Sequence, residues 1–216
     1  MALSKVDVES GGTGLIAAGT SGNVLTSDGT DWTSAAAAGG GAWTEKVALT
    51  TVSGVTAIDL TNLTKTIKIF IQITAVQTNA DSLNMRTSTN NGASFDSGST
   101  DYERGKIASS DSATTPAGQG GEISTMILGS IDGGMEVNMP NFSEVTVFNP
   151  QLNSHTMVTC LAAGFTTNGT TGENFGLGFF SGCRDAAQVV NAVRIMLDAG
   201  GTDTFDATYF VLESTV

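Results

Sequence analysis

Charge is scarce in this chain. Only 14% of its 216 residues are Asp, Glu, Lys or Arg, against about 25% in an ordinary soluble domain. Much of the surface must then be Ser, Thr, Asn and Gly, which suits a chain packed into an assembly. The charge present leans one way, with 9 Lys and Arg against 21 Asp and Glu, a net −12. Phosphate contacts need clustered cations, and only Arg104 and Lys106 stand close together. Nucleic acid is excluded as a partner, and so is an anionic membrane. A single histidine, His155, has no Ser or Cys partner motif and no G-x-S-x-G accompanies it, so no catalytic residue is assigned. One His and two distant Cys make no zinc site, and glycine-rich runs without G-K-[ST] make no phosphate loop. No cofactor or metal is expected. No run of about 18 apolar residues exists to span a membrane, and the start, MALSKVDVES, lacks the apolar segment of a signal peptide. The chain is expected to be made in a cytoplasm and to stay soluble.

Cysteine is almost as rare. Cys160 and Cys183 lie 23 positions apart in apolar, strand-like contexts. Buried free thiols are the leading expectation, with a disulfide as the alternative.

What the chain does have is alternation. In Thr66–Thr74, TIKIFIQIT, four isoleucines occupy every second position opposite a mostly polar face. Period two over that length is a half-buried strand, and β-branched residues favour it. Further strands are expected at 45–52, 55–60, 82–89, 123–131, 135–139, 145–148, 155–165, 175–182, 188–198 and 204–212. Turn signals separate them, among them Asn90-Asn91-Gly92, Asn149-Pro150 and Ala199-Gly200-Gly201. Only Asp185–Val193 competes as a short helix. Roughly ten strands at such spacing predict an all-β fold, an antiparallel β-sandwich of jelly-roll type. Residues 43–216 form that domain, behind an extended N-terminal arm over 1–42. Two small, polar stretches, Ala108–Gly121 and Thr166–Asn174, are expected as loops. The paired acids Asp28/Asp31 and Asp203/Asp206 do not continue as an EF-hand loop and are expected as turn residues.

Ser88-Thr89-Asn90-Asn91-Gly92-Ala93-Ser94-Phe95 resembles the Asp-box pattern S-x-D-x-G-x-T-W, with Asn90, Ser94 and Phe95 in place of Asp, Thr and Trp. Its physics is that of a tight hairpin: an Asx side chain caps amides, Gly92 takes positive φ, and the aromatic plugs the base. The pattern occurs in sialidase propellers, once per blade; one copy here implies a structural hairpin of Ser88, Asn90, Gly92, Ser94 and Phe95.

The opening run, GGTGLIAAGTSGNVLTSDGTDWTS over 11–34, resembles a segment that recurs in bacteriophage tail-fibre and related virion proteins, GGTG–spacer–GTSGNVLTSDGTxW. Leu83–Gly105 and the closing strand with Tyr209-Phe210 are similar to the sandwich domains of such proteins. The resemblance implies a non-enzymatic virion structural protein and a homotrimer, made in the host bacterial cytoplasm. Long fibres repeat such segments; a single copy points to a short tail fibre or fibre tip, or to a capsid decoration (cement) subunit. The arm's Leu15, Ile16, Val24, Leu25 and Trp32, with Trp43, are then candidate docking residues toward sister chains or other virion proteins (tail, portal or capsid). Ala35–Gly41 reads as a hinge. Asp96, Asp101, Tyr102 and Glu103 are the candidate receptor-facing loop, toward a host surface glycan or protein. A capsular-polysaccharide-degrading enzyme, using two carboxylates, is a remote third reading.

Overall fold

The isoleucine strand is the centre of the molecule. In the structure, a computed structural model, it runs Ile67–Val76, and Ile67, Ile69, Ile71 and Ile73 are all fully buried. The structure describes residues 23–27, 32–36, 42–76, 82–110, 113–129, 139–167, 173–197 and 203–216. The chain divides into two units, Met1–Gly41 and Ala42–Val216.

The first unit contributes two strands, β1 (Asn23–Ser27) and β2 (Trp32–Ala36), paired antiparallel with Asn23 opposite Ala36 and Ser27 opposite Trp32. In the second, β3 (Trp43–Val55), β4 (Ala57–Leu60), β5 (Ile67–Val76), β6 (Leu83–Ser88), β7 (Tyr102–Ser110) and β8 (Ala113–Ile123) come first. β9 (Met126–Gly129), β10 (Asn141–Phe148), β11 (Met157–Thr167), β12 (Glu173–Arg184), β13 (Ala192–Met196) and β14 (Phe205–Ser214) follow. Among the described residues there is no helix.

Two antiparallel sheets pack face to face. One has the order β3-β14-β5-β10-β11-β12-β7-β8 and the other β4-β13-β6-β9. Four of the pairings, β3·β14, β4·β13, β5·β10 and β6·β9, match early strands with late ones in nested order. That is an antiparallel ribbon wrapped over itself, the topology of a jelly roll. Two extra hairpins interrupt it, β7–β8 between β6 and β9, and β11–β12 between β10 and β13. Both join the same sheet, which therefore grows to eight strands while its partner keeps four.

Alternation sorts each strand between core and outside. Val145 and Val147 on β10, Val158 and Cys160 on β11, and Val193 and Ile195 on β13 are buried. Where β9 crosses β11 and β12 the two sheets approach closely because glycine and alanine meet there. A Cβ on Gly182 of β12 would lie 2.6 Å from Met126 Cγ of β9, and one on Gly129 of β9 would meet Ala162 of β11 at 3.6 Å.

Several sequence expectations change. Ala108–Gly121 is not a loop: most of it forms the β7–β8 hairpin, templated by β12, where Gly178 lies opposite Ala108. Small residues with weak strand propensity are held there by ladder pairing. Thr166, Thr167, Glu173 and Asn174 continue β11 and β12, and 168–172 fall outside the described residues. The strand expected at 123–131 breaks at Ser124-Thr125 into the end of β8 and the start of β9, and nearly all of 135–139 lies outside the described residues. At 185–193 the short helix is replaced by bends and extended chain, with Val190 N–H bonded to the Pro150 carbonyl at 2.8 Å and Asn191 N–H to that of Ser88 at 2.9 Å.

The tight glycine contacts make a prediction. A Cβ on Gly178 would stand 2.5 Å from Phe180 Cε2 and 2.8 Å from Cζ, and that ring is fully buried. Gly178→Ala should cost about 1–3 kcal/mol through overpacking. The urea midpoint should fall with an unchanged slope; an unchanged midpoint would show that the ring can move aside.

Candidate functional surface

The residues singled out in the Asp-box-like run build a turn held by its own side chains. Ser88 Oγ accepts the N–H groups of Gly92 at 2.9 Å and Asn90 at 3.2 Å, and donates to Asn90 Oδ1 at 2.8 Å. Asn90 Oδ1 also accepts the Ser94 N–H at 2.9 Å, and Asn90 Nδ2 donates to Ser94 Oγ at 2.8 Å. Asn91 and Gly92 take φ of +57° and +88°, the left-handed region that Asn and Gly tolerate. Phe95 lies under Arg194, whose guanidinium carbon is 4.3 Å from the ring centroid, and Arg194 forms a bidentate pair with Asp59 at 2.7 Å. One correction applies: the turn does not join paired strands. β6 pairs with β13 and β9, and the chain leaves the turn for β7 in the opposite sheet. The turn is an exit from one layer, closed by Asp96 N–H on the Thr87 carbonyl at 3.0 Å.

Of the candidate receptor-facing residues Tyr102 is buried, Asp96 and Asp101 are half-buried and Glu103 is exposed. Tyr102 is fully buried. Its hydroxyl accepts the Thr87 N–H at 2.8 Å and donates to the Asp96 carbonyl at 3.2 Å. Tyr102 therefore faces no receptor and belongs to the core, because the loop over 89–101 folds back on β6. Asp96 Oδ2 accepts from buried Arg184 Nε at 2.8 Å and from Thr87 Oγ1 at 3.2 Å. Asp101 accepts the Gly98 N–H at 2.5 Å. Glu103 alone is exposed.

Of the candidate docking residues, Leu15 and Ile16 lie outside the described residues. Val24 and Leu25 fall on β1, opposite Ala35 and Ser34, and Trp32 begins β2. Trp43 is not part of that unit. It opens β3 opposite Ser214, with Lys68 Nζ 5.5 Å from its ring centroid.

The surface that stands out was not singled out from the sequence. On the outer side of the eight-stranded sheet, Phe142, Phe148, Met157, Leu161, Phe175, Leu177, Phe179 and Ile107 are each about half exposed, from 40% to 61%. They sit on β10, β11, β12 and β7, and the register aligns them. Leu161 lies opposite Phe179 and Phe179 opposite Ile107. The same row continues through Glu144 and Phe70 to Phe210, where Phe70 and Phe210 stack at 4.6 Å. At about 4.8 Å per strand the row is roughly 24 Å across. With about 100 Å² left in water by each half-exposed large side chain, the eight together leave on the order of 800 Å². The largest apolar patch of a typical monomer is about 300–600 Å².

A sequence signal for this face existed. FGLGFF, residues 175–180, sets Phe175, Leu177 and Phe179 on one side of β12 and Gly176, Gly178 and Phe180 on the other, so the first side had to be the bulkier. The bulky side faces outward.

Both cysteines are free. Cys160 Sγ donates to the Leu128 carbonyl at 2.8 Å, and burial pushes its pKa up to about 12. Cys183 is half-buried, and desolvation, then Glu103 and Asp185, raise its pKa. His155 Nδ1 lies 3.0 Å from the Arg184 carbonyl. Among the described residues no three His, Cys, Asp or Glu side chains gather as metal ligands. Asp206 on β14 closes the bulge at Ser53-Gly54 of β3, accepting Ser53 Oγ and Gly54 N–H, both at 2.7 Å, and these bonds lower its pKa.

Comparison with protein-family models, with curated proteins and with solved structures yields no significant match in any of the three.

Two predictions follow from the geometry around Tyr102 and Cys160. Tyr102→Phe leaves the buried Thr87 N–H without its acceptor and should cost about 1–3 kcal/mol in urea unfolding; a cost near zero would mean another acceptor takes over. Burial raises the Tyr102 pKa above 10.0 and that of Cys160 above 9.0, so in alkali the unfolded chain ionises first. Stability should hold below about pH 9 and decline as pH rises toward about 12. Urea midpoints taken from about pH 8 to about pH 11 check this, and a flat profile would refute the buried-thiol and buried-phenol assignments.

Proposed function

We propose that this chain is a non-enzymatic structural subunit of a bacteriophage virion, bedded into its neighbours through the outer face of the eight-stranded sheet. One observation carries the reading. A chain with net charge −12 places eight large apolar side chains on one sheet face, and contiguous patches of that extent mark interaction sites. The jelly-roll topology is compatible with this, since the fold serves viral capsids among other uses, but fold is support by analogy only.

Of the two placements on a particle, capsid decoration gains the better support. A receptor-binding fibre tip calls for aromatic and carboxylate side chains converging on exposed loops, yet Tyr102 is internal and Asp96 is held by Arg184. A decoration subunit calls for broad, weakly charged flanks, which the apolar face supplies. The short-fibre reading, a homotrimer anchored by the arm over 1–42, is kept as the second because the N-terminal residues form a unit of their own.

The test is compositional. Purified particles of the phage that encodes this chain should contain it in stoichiometric copies. A copy number that follows the capsid subunits supports decoration, and a few copies per tail supports the fibre. Absence from the particle would overturn the proposal.

A further inference from the structure

We infer that the outer face of β10, β11, β12 and β7 packs against the same face of a second copy of this chain, about a two-fold axis. The inference rests on the structural reading above and names the partner of that surface.

Three observations select a second copy. The first is area. On the order of 800 Å² of exposed apolar side chain on one face is about what each partner contributes to a stable interface of standard size. The second is charge. Two copies carrying −12 each can meet only through a surface free of unpaired acids at its centre. Glu144 is the carboxylate within the apolar row, and Lys68 Nζ neutralises it at 3.0 Å; the exposed Glu103, opposite Cys183 beyond the trough, stands at the rim. The third is shape. Leu161, Phe179 and Ile107 form a ridge across three strands, and the adjacent row, Thr159, Ser181 and Gly105, is a trough of smaller residues. Rows on one face of a strand lie about 6.7 Å apart. A two-fold axis between ridge and trough seats each copy's ridge in the other's trough, the self-complementary contact of an isologous dimer.

Such a contact closes at two copies, which separates it from the three-fold assembly implied by the phage resemblance. It also makes each substitution count twice. Phe179 sits at the middle of the ridge, so Phe179→Asp should raise the dimer dissociation constant at least about a hundredfold.

The experiment is sedimentation velocity on the full chain from about 1 to about 100 μM, with Phe179→Asp, Ile107→Asp and, as control, Leu49→Asp. Leu49 is exposed on β3, away from the ridge. The expected result is a wild-type mass twice 22.0 kDa, monomers for both ridge variants with wild-type circular dichroism, and a dimer for the control. A dimer that survives both ridge substitutions overturns the inference, as does a wild-type trimer or a monomer throughout. A chain monomeric in solution yet stoichiometric in particles would sink the pairing and keep the structural reading. A ridge-dependent dimer absent from particles would do the reverse.

Discussion

Everything distinctive about this sandwich depends on how closely β9 approaches β12. Met126 lies against Gly182 at a distance no side chain would allow, and Gly178 on the same inner side lies against the buried ring of Phe180. The two sheets can then approach closely there, because close-packed cores leave no room for large residues on both sides of so thin a layer. The cost is borne outside. Period two sends every residue displaced from the inner face to the outer one, and on β12 those residues are Phe175, Leu177 and Phe179. The apolar surface is thus the other side of a packing constraint.

A second constraint fixes the crossing between layers. The chain leaves β6 in one sheet and must enter β7 in the other, and Tyr102, the first residue of β7, is tied back to Thr87 near the end of β6. Arg184 at the end of β12 reaches Asp96 in the same crossing. Burying a guanidinium is costly unless it is paired, and here it has a carboxylate and the Ala186 carbonyl at 2.9 Å. The elements that look in sequence like an exposed, acidic, Tyr-containing loop are therefore the seam that holds the two sheets in register.

That seam shows where sequence reasoning stops. The isoleucines of β5 announced a strand and its buried face correctly, because four β-branched residues at period two have no other consistent reading. The Asn90 cap and the positive φ at Gly92 were equally legible, since turn chemistry is local. Tyr102 was misplaced because its partners, Thr87 and Asp96, become neighbours only through the fold-back of the loop. The β7–β8 hairpin was missed for a related reason: Gly and Ala, which dominate the middle of that stretch, are poor strand formers, and what orders them is the ladder of β12. For β12 itself the alternation told which residues share a face, but not which face is the core. Bulk normally points inward, as Phe180 does, but Phe175, Leu177 and Phe179 point out, while the inner side gives Gly182 to Met126 of β9 and Gly178 to the Phe180 ring.

Net charge and apolar face act at different ranges, and the balance between them shapes how such a chain behaves among copies of itself. Repulsion between bodies of −12 extends over about a Debye length, roughly 10 Å at 0.1 M salt. Burial of the ridge acts only at contact, and it is non-directional. Long-range repulsion slows chance encounters between copies. Once two surfaces meet with ridge seated in trough, the paired Lys68 and Glu144 leave no isolated charge to desolvate at the centre. A surface of this kind discriminates against poorly fitting partners, since a misaligned contact would bring acids together without burying the phenylalanines. In a chain with so little charge to spend on specificity, where its carboxylates are absent matters as much as where they stand.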